Sequence, residues 1–402
     1  MPAASNGAVS AGAVKPVAVK SGRHVGLAAL LLLALALRGA WALRQSNDPA
    51  SLSELPDQQE YFQIGQNLLA GRGLRFTDPR FGQTVWAYRT PGYPWLIAAC
   101  GANLRAIRLA QALLDTSTVL AVYLMAGRWL PPGRCLFAAA WVAFNPLLIS
   151  FSGLILSETL FIAMLAWGAV LLTEKSAPRI LAGAAALAVS VLVRPSALLL
   201  PAFLALVARP KAIPTAIACL GMTLLALFPW ALRNEILLHH WIWTSTNSGI
   251  TKYDGFNPRA DGGSNQSFVR DMPQLSQMNE IQRSQYLDGL ANQFIEEHPW
   301  RCVQLTVAKL GRLWSPIPLS QQFGSNRLYV AVELIYSAPF FILTLVGVAG
   351  SAISRRGKLF LLMPALYFSV VHGFSVSSLR YRLPAEPLMA VVAAGAFGRK
   401  HG

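Results

Sequence analysis

Charged residues are scarce in this chain: Asp, Glu, Lys and Arg make up 13% of its 402 residues, about half the share found in soluble proteins. With 54% of residues in the apolar and aromatic set, that shortage excludes a string of soluble domains. Histidine is also rare, six scattered residues with no metal-ligand spacing. The four cysteines, Cys100, Cys135, Cys219 and Cys302, form no CxxC pair and no disulfide framework. P-loop, GxGxxG and HExxH strings are absent, which removes the usual nucleotide and zinc-hydrolase motifs. No internal repeat is visible, so the paired halves of many transporters are missing. Acids are fewest of all: 18 against 34 bases, a net charge of +16. The bases form small groups between apolar runs, with no continuous stripe, so no nucleic-acid partner is expected. Anionic membrane lipids and phosphorylated substrates are the expected counter-charges.

What is present is a series of apolar runs, the first over Val25–Ala42 and the others between residues 106 and 398. About ten crossings of roughly 20 residues would use half the chain. The pairs Arg128/Arg134, Lys175/Arg179 and Arg209/Lys211, the group Arg355/Arg356/Lys358 and the end at Arg399/Lys400 then fall on one face, the cytoplasmic one. The expected order is a disordered cytoplasmic tail over 1–24, a retained first helix over 25–44, an extracytoplasmic loop over 45–104, a six-helix block over 105–230, a second extracytoplasmic region over 231–326 and three last helices over 327–398. A cleaved signal peptide ending at Ala40-Trp41-Ala42 is the alternative for the first run. The stretch 180–208 reads as a short hairpin with Arg194 at its outer turn. The fold class is thus an all-α polytopic membrane protein whose outer loops carry their own helices.

Ionisable residues gather at the outer ends of these helices. Apolar positions 61, 64, 65, 68 and 69 describe one face of a helix laid on the membrane surface. Asp57 at its N-cap and Glu60 three residues on either form a capping box or face a site. Arg89, in the same loop, has the planar fork that suits a phosphate, and Tyr93 follows in Pro91-Gly92-Tyr93-Pro94. Ser157-Glu158, Arg194-Pro195, Arg233-Asn234 and Arg380-Tyr381-Arg382 sit at other outer ends. Each is a snorkelling anchor or a ligand; together they outline a cavity for an anionic substrate. Deeper in their spans, Arg38 and Asp115 read as members of a structural ion pair.

The ordered strings Asp57-x-x-Glu60-Tyr61-x-x-Ile64-x-x-Asn67-Leu68-Leu69-x-Gly71-x-Gly73, Arg89-x-Pro91-Gly92-Tyr93-Pro94, Ser157-Glu158-x-Leu160-Phe161, Arg194-Pro195, Pro229-Trp230-x-x-Arg233-Asn234 and Arg380-Tyr381-Arg382-x-Pro384 resemble the GT-C membrane glycosyltransferases. The likeness is to the dolichyl-phosphate-mannose-protein mannosyltransferase-like group, glycosyltransferase family 39, with its aminoarabinose-transferase-like relatives. The resemblance implies a GT-C fold that moves a sugar from a polyprenyl-phosphate donor to a lipid, glycan or protein acceptor outside a bacterial inner membrane. It implies Asp57 as the catalytic carboxylate, with Glu158 a second acidic candidate. Arg89, Arg194 and Arg233 would hold the phosphate. Glu60, Tyr93, Asn234, Arg380 and Arg382 complete the candidate substrate-binding set. Asp57 is followed by Gln58 where many members have adjacent acids, so the metal ligands stay unknown and a divalent ion remains only an option. Thr244–Gly263 is the candidate acceptor-side loop. Rival readings are a transporter or flippase for an anionic lipid-linked substrate, a non-catalytic sensor of the same fold, and a lipid phosphatase.

Overall fold

A computed structural model describes residues 21–208, 212–319 and 325–398; most of the expected N-terminal tail and the basic groups Arg209/Lys211 and Arg399/Lys400 lie outside them. The chain opens with α1 (Ser21–Arg44) and reaches α4 (Leu104–Ala126) through α2 (Pro56–Leu69), β1 (Phe76–Asp78), β2 (Gln83–Val85) and α3 (Gly92–Ala99). Then come α5 (Pro132–Ala143), α6 (Pro146–Ser152), α7 (Glu158–Leu172), α8 (Ala177–Ser190), α9 (Leu200–Ala208) and α10 (Ala212–Leu238). The second loop region holds α11 (Ser248–Gly255), α12 (Phe268–Asp271), α13 (Glu280–Glu297) and α14 (Pro299–Leu313). The long helices α15 (Arg327–Gly350) and α16 (Arg355–Gly373) and the short α17 (Glu386–Gly395) close the chain.

A count of about ten full crossings is not confirmed among the described residues. Four helices, α1, α4, α10 and α15, are long and apolar enough, and a fifth arises if the bent α5–α6 pair is one span. Prolines account for much of the shortfall. Pro146 has no N–H to continue α5 and disfavours helix at Asn145, so the chain turns by 53° there. Asn145 caps α6 by accepting from Leu147 N at 2.9 Å and Leu148 N at 3.0 Å. Arg194-Pro195 likewise separates α8 from α9, placing Arg194 at the turn of a hairpin. The all-α expectation also missed a two-stranded antiparallel hairpin, Phe76 opposite Val85 and Asp78 opposite Gln83, whose turn uses Gly82 at φ 66°.

The bend in α5–α6 frees carbonyls that an ion pair collects. Arg38 of α1 is fully buried and donates to Asp115 of α4 at 2.6 Å, to Ala143 O at 2.8 Å and to Val142 O at 3.1 Å. The sequence pointed to a structural ion pair for each, and the structure makes each the other's partner. Arg38→Met leaves Asp115 buried and alone, an expected loss of about 3–5 kcal/mol. Thermal unfolding in detergent should show a lower Tm for Arg38→Met and recovery in Arg38→Met/Asp115→Leu; equal Tm values for single variant and wild type contradict this role.

Candidate functional site

The site is built where α2 starts. Leu55 occupies the N-cap with no side-chain hydrogen bond and Pro56 takes the first helical position, which suits proline because that N–H has no helical partner. The capping-box alternative is therefore corrected: Asp57 lies inside the first turn and Glu60 just beyond it, and neither carboxylate caps the helix. The expected membrane-surface face is corrected too, because Tyr61, Ile64 and Gly65 are buried. A Cβ on Gly65 would stand 2.7 Å from Ile97 Cβ, so α2 seats directly on α3.

Arg89 reaches these acids from the segment after β2, which Glu280 of α13 fixes by accepting from Trp86 N at 2.8 Å and Ala87 N at 3.2 Å. Arg89 Nη2 donates to Asp57 Oδ1 at 2.6 Å, and its Nε to Glu60 Oε2 at 2.8 Å. Arg380, in the turn before α17, donates to Asp57 Oδ2 at 2.8 Å. Its Nε stands 3.0 Å from Glu158 Oε1, and Arg194 Nη1 stands 2.8 Å from the same oxygen. The result is one alternating chain of charges, Glu60–Arg89–Asp57–Arg380–Glu158–Arg194. Aromatic rings bed it: the Arg89 guanidinium lies 5.1 Å from the Tyr61 ring, and Tyr381 stacks on His372 at 4.2 Å.

Electrostatics separates the two acids of α2. Burial pushes the Asp57 carboxyl up, but Arg89 and Arg380 outweigh it and hold it well below the usual carboxylate range. Burial also raises Glu60, and repulsion from Asp57 adds to it against the attraction of Arg89, so its net direction is upward. Asp57 is thus ionised throughout the neutral range, and its stabilising effect fades only as pH falls below about 3.9, the unfolded value. Glu60 works oppositely, favouring the fold more as pH falls.

These groups face a cavity of about 1770 Å³. Its lining includes the apolar residues Trp41, Leu147, Phe151, Leu319, Leu328 and Val332 and the polar residues Ser248, Thr251, Asp254, Ser264, Asn265 and Gln266, which puts much of Thr244–Gly263 on its wall. Asp57, Glu60, Arg89, Arg194 and Arg380 line the cavity.

Five sequence candidates are placed elsewhere. Glu158 is fully buried behind the arginines it neutralises. Tyr93 is fully buried and donates to Gln111 at 2.5 Å. Arg233 and Asn234 lie inside α10, which runs past the expected end at 230. Arg233 is spent on Trp86 O at 2.7 Å and Leu74 O at 2.9 Å, and Asn234 on Ile242 O at 2.9 Å. Arg382 is enclosed by Glu333 and Glu386, each at 2.7 Å, and Ser337 at 2.9 Å. These groups brace the site and have no reach into the cavity. Conversely, Arg80 lines it while held by Asp78 at 2.7 Å and Tyr88 at 2.6 Å; the sequence signal was its place between two glycine-flanked loops already rich in site residues. Tyr61 and Tyr381 sat inside quoted strings without a role.

A metal fits poorly. Among the described residues no group of three or more His, Cys, Asp or Glu could hold an ion, and both Asp57 oxygens already accept from arginines.

Helices long and apolar enough to cross a membrane mark an integral membrane protein. Its fold is similar to that of solved structures, among them the oligosaccharyltransferase AglB of Archaeoglobus fulgidus. The structure of that enzyme with an inhibitory peptide and dolichol-phosphate matches at a TM-score of 0.56 and 13% identity, over 94% of this chain and 50% of that one. Its apo form matches at 0.53 and 14%, over 93% and 50%. The chain thus spans about half the length of the archaeal enzyme. ArnT of Cupriavidus metallidurans, bound to undecaprenyl phosphate, overlaps at a TM-score of 0.38 and 14% identity over 94% of this chain and 78% of that one, too little to argue from. No protein-family model and no curated protein matches the chain.

Proposed function

We propose that the protein is a glycosyltransferase of the family 39-like group that moves a sugar from a polyprenyl-phosphate donor to an acceptor on the extracytoplasmic side of a bacterial inner membrane. The observation that carries this reading is one cavity whose lining combines apolar residues, polar residues and the arginines of the charge chain. The lipid tail fits the apolar lining, its phosphate the arginines and the acceptor the polar lining. Function here needs charge that can be redistributed. With the cavity as it stands, both Asp57 oxygens are occupied by Arg89 and Arg380. A lipid phosphate arriving between those arginines competes for their N–H groups and releases Asp57.

The chemistry then balances locally. The acceptor hydroxyl attacks the anomeric carbon as the bond from that carbon to the phosphate oxygen breaks. The hydroxyl proton passes to Asp57, and the electron pair leaves with the polyprenyl phosphate. Charge on that phosphate grows as it departs, so arginine hydrogen bonds strengthen toward the transition state. In the free protein Arg89 and Arg380 hold Asp57 ionised, so an acid limb in kcat/KM belongs to Glu60, whose carboxyl is raised, or to the phosphate. Glu60→Gln is expected to shift such a limb; a limb that disappears only in Asp57 variants contradicts this assignment.

A direct test is binding of polyprenyl phosphate to Arg380→Met. Losing charged hydrogen bonds of about 1.5–3 kcal/mol should weaken binding roughly 10- to 100-fold. Unchanged binding removes Arg380 from the phosphate site.

A further inference from the structure

A smaller groove adjoins the polar part of the cavity's lining. After α10 the chain reverses at His239, φ 55°, and lays Trp241 and Trp243 beside Phe228. The two indoles stand 6.3 Å apart at 27°, and Trp241 and Phe228 are also 6.3 Å apart at 26°. Trp230 pins the return by donating to Thr244 O at 2.8 Å. Trp241 and Trp243 nevertheless remain 52% and 39% exposed. Beside them lies a groove of about 290 Å³ whose other walls include Ser245, Ser248, Ser284 and Gln285. Thr244, Ser245 and Ser248 line both this groove and the large cavity, so the two lie side by side. Gly249 makes the wall: its approach to the Ser284 backbone leaves no room for a Cβ, which brings α11 against α13.

The chemistry of the groove differs from that of the cavity. Among the described residues no Asp, Glu, Lys or Arg lines it, and His240 is its one ionisable residue. Its lining combines the aromatic side chains of Trp241 and Trp243 with hydroxyl and amide groups. Indole faces carry negative quadrupole density that attracts polarised C–H groups, while hydroxyls and amides pair with hydroxyls. A neutral molecule with one C–H face and a hydroxyl rim satisfies both kinds of group, and a sugar ring is such a molecule. We propose that this groove binds a neutral sugar ring of a saccharide acceptor, whose attacking hydroxyl then reaches toward Asp57 in the adjoining cavity. The assignment rests on the transferase reading and names its acceptor class.

The test uses full-length protein in lipid nanodiscs with cellotriose and α-mannotriose as probes, read by saturation-transfer NMR and titration calorimetry. Wild type should bind at least one trisaccharide, with transfer concentrated on ring C–H protons. Affinity should fall at least 10-fold in Trp241→Ala/Trp243→Ala and in Gln285→Leu, the second variant guarding against misfolding of the first. No binding of either probe by wild type, or equal binding in both variants, overturns the proposal and leaves the indoles as membrane-interface anchors. Polyprenyl phosphate binding on the same samples separates the two claims. Wild type that binds trisaccharide but no polyprenyl phosphate supports the groove and removes the transferase reading.

Discussion

Asp57→Asn is expected to lower sugar transfer by about 10²- to 10⁴-fold, the range of a positioned acid–base group, while leaving binding of the lipid phosphate intact or tighter. The second half distinguishes a catalytic carboxylate from a structural one. Asp57 accepts from Arg89 at 2.6 Å and from Arg380 at 2.8 Å; an amide oxygen attracts those guanidiniums less, so both become freer for a phosphate. Loss of rate with retained donor binding, measured as a fall in kcat at unchanged or lower KM, is the expected pattern. A variant that loses donor affinity and keeps kcat would make Asp57 a brace for Arg89 and Arg380.

Glu158→Gln is expected to cost about 3–5 kcal/mol of stability, as removal of one partner from a buried ion pair does, although the substitution is nearly isosteric. Glu158 is fully buried and one of its oxygens stands 2.8 Å from Arg194 and 3.0 Å from Arg380. Without its charge two arginines meet across a neutral group. Thermal unfolding should drop clearly, and Glu158→Gln/Arg194→Met should regain part of the loss by removing one of the stranded cations. A Tm equal to wild type in the single variant shows that Glu158 does not neutralise this pair. Activity alone cannot separate the roles, because displaced arginines also lose the phosphate.

Much of this arrangement was legible in residue order. Arg38 and Asp115 stood out because isolated charges deep in apolar runs must each find a partner or pay desolvation, and the structure makes each the other's partner; Arg194-Pro195 marked a turn because proline interrupts the helix it enters. Asp57, Glu60 and Arg89 shared a loop, and the structure joins them. What sequence could not resolve is where each arginine spends its donors. Arg380 and Arg382 are two residues apart in one turn, yet one lines the cavity and the other is enclosed by Glu333 and Glu386. Arg233 looked like a phosphate ligand and is used by two loop carbonyls. Those outcomes depend on which distant segments pack nearby, and no local pattern records them. The β-hairpin escaped for another reason: three-residue strands are too short for alternation to show. Proline breaks divide apolar runs that composition alone leaves continuous, so several expected spans stand as shorter apolar helices.

The central claim is that the charged chain lining the cavity serves transfer from a lipid phosphate. Its most direct test places wild-type and Asp57→Asn protein in liposomes with radiolabelled polyprenyl-phosphate sugars and a membrane extract as acceptor, and follows the release of free polyprenyl phosphate. The account predicts release from one sugar donor by wild type, and its loss in Asp57→Asn with donor binding preserved. Absence of release from every donor, with labelled lipid appearing instead on the opposite leaflet, contradicts it and marks the protein as a transporter.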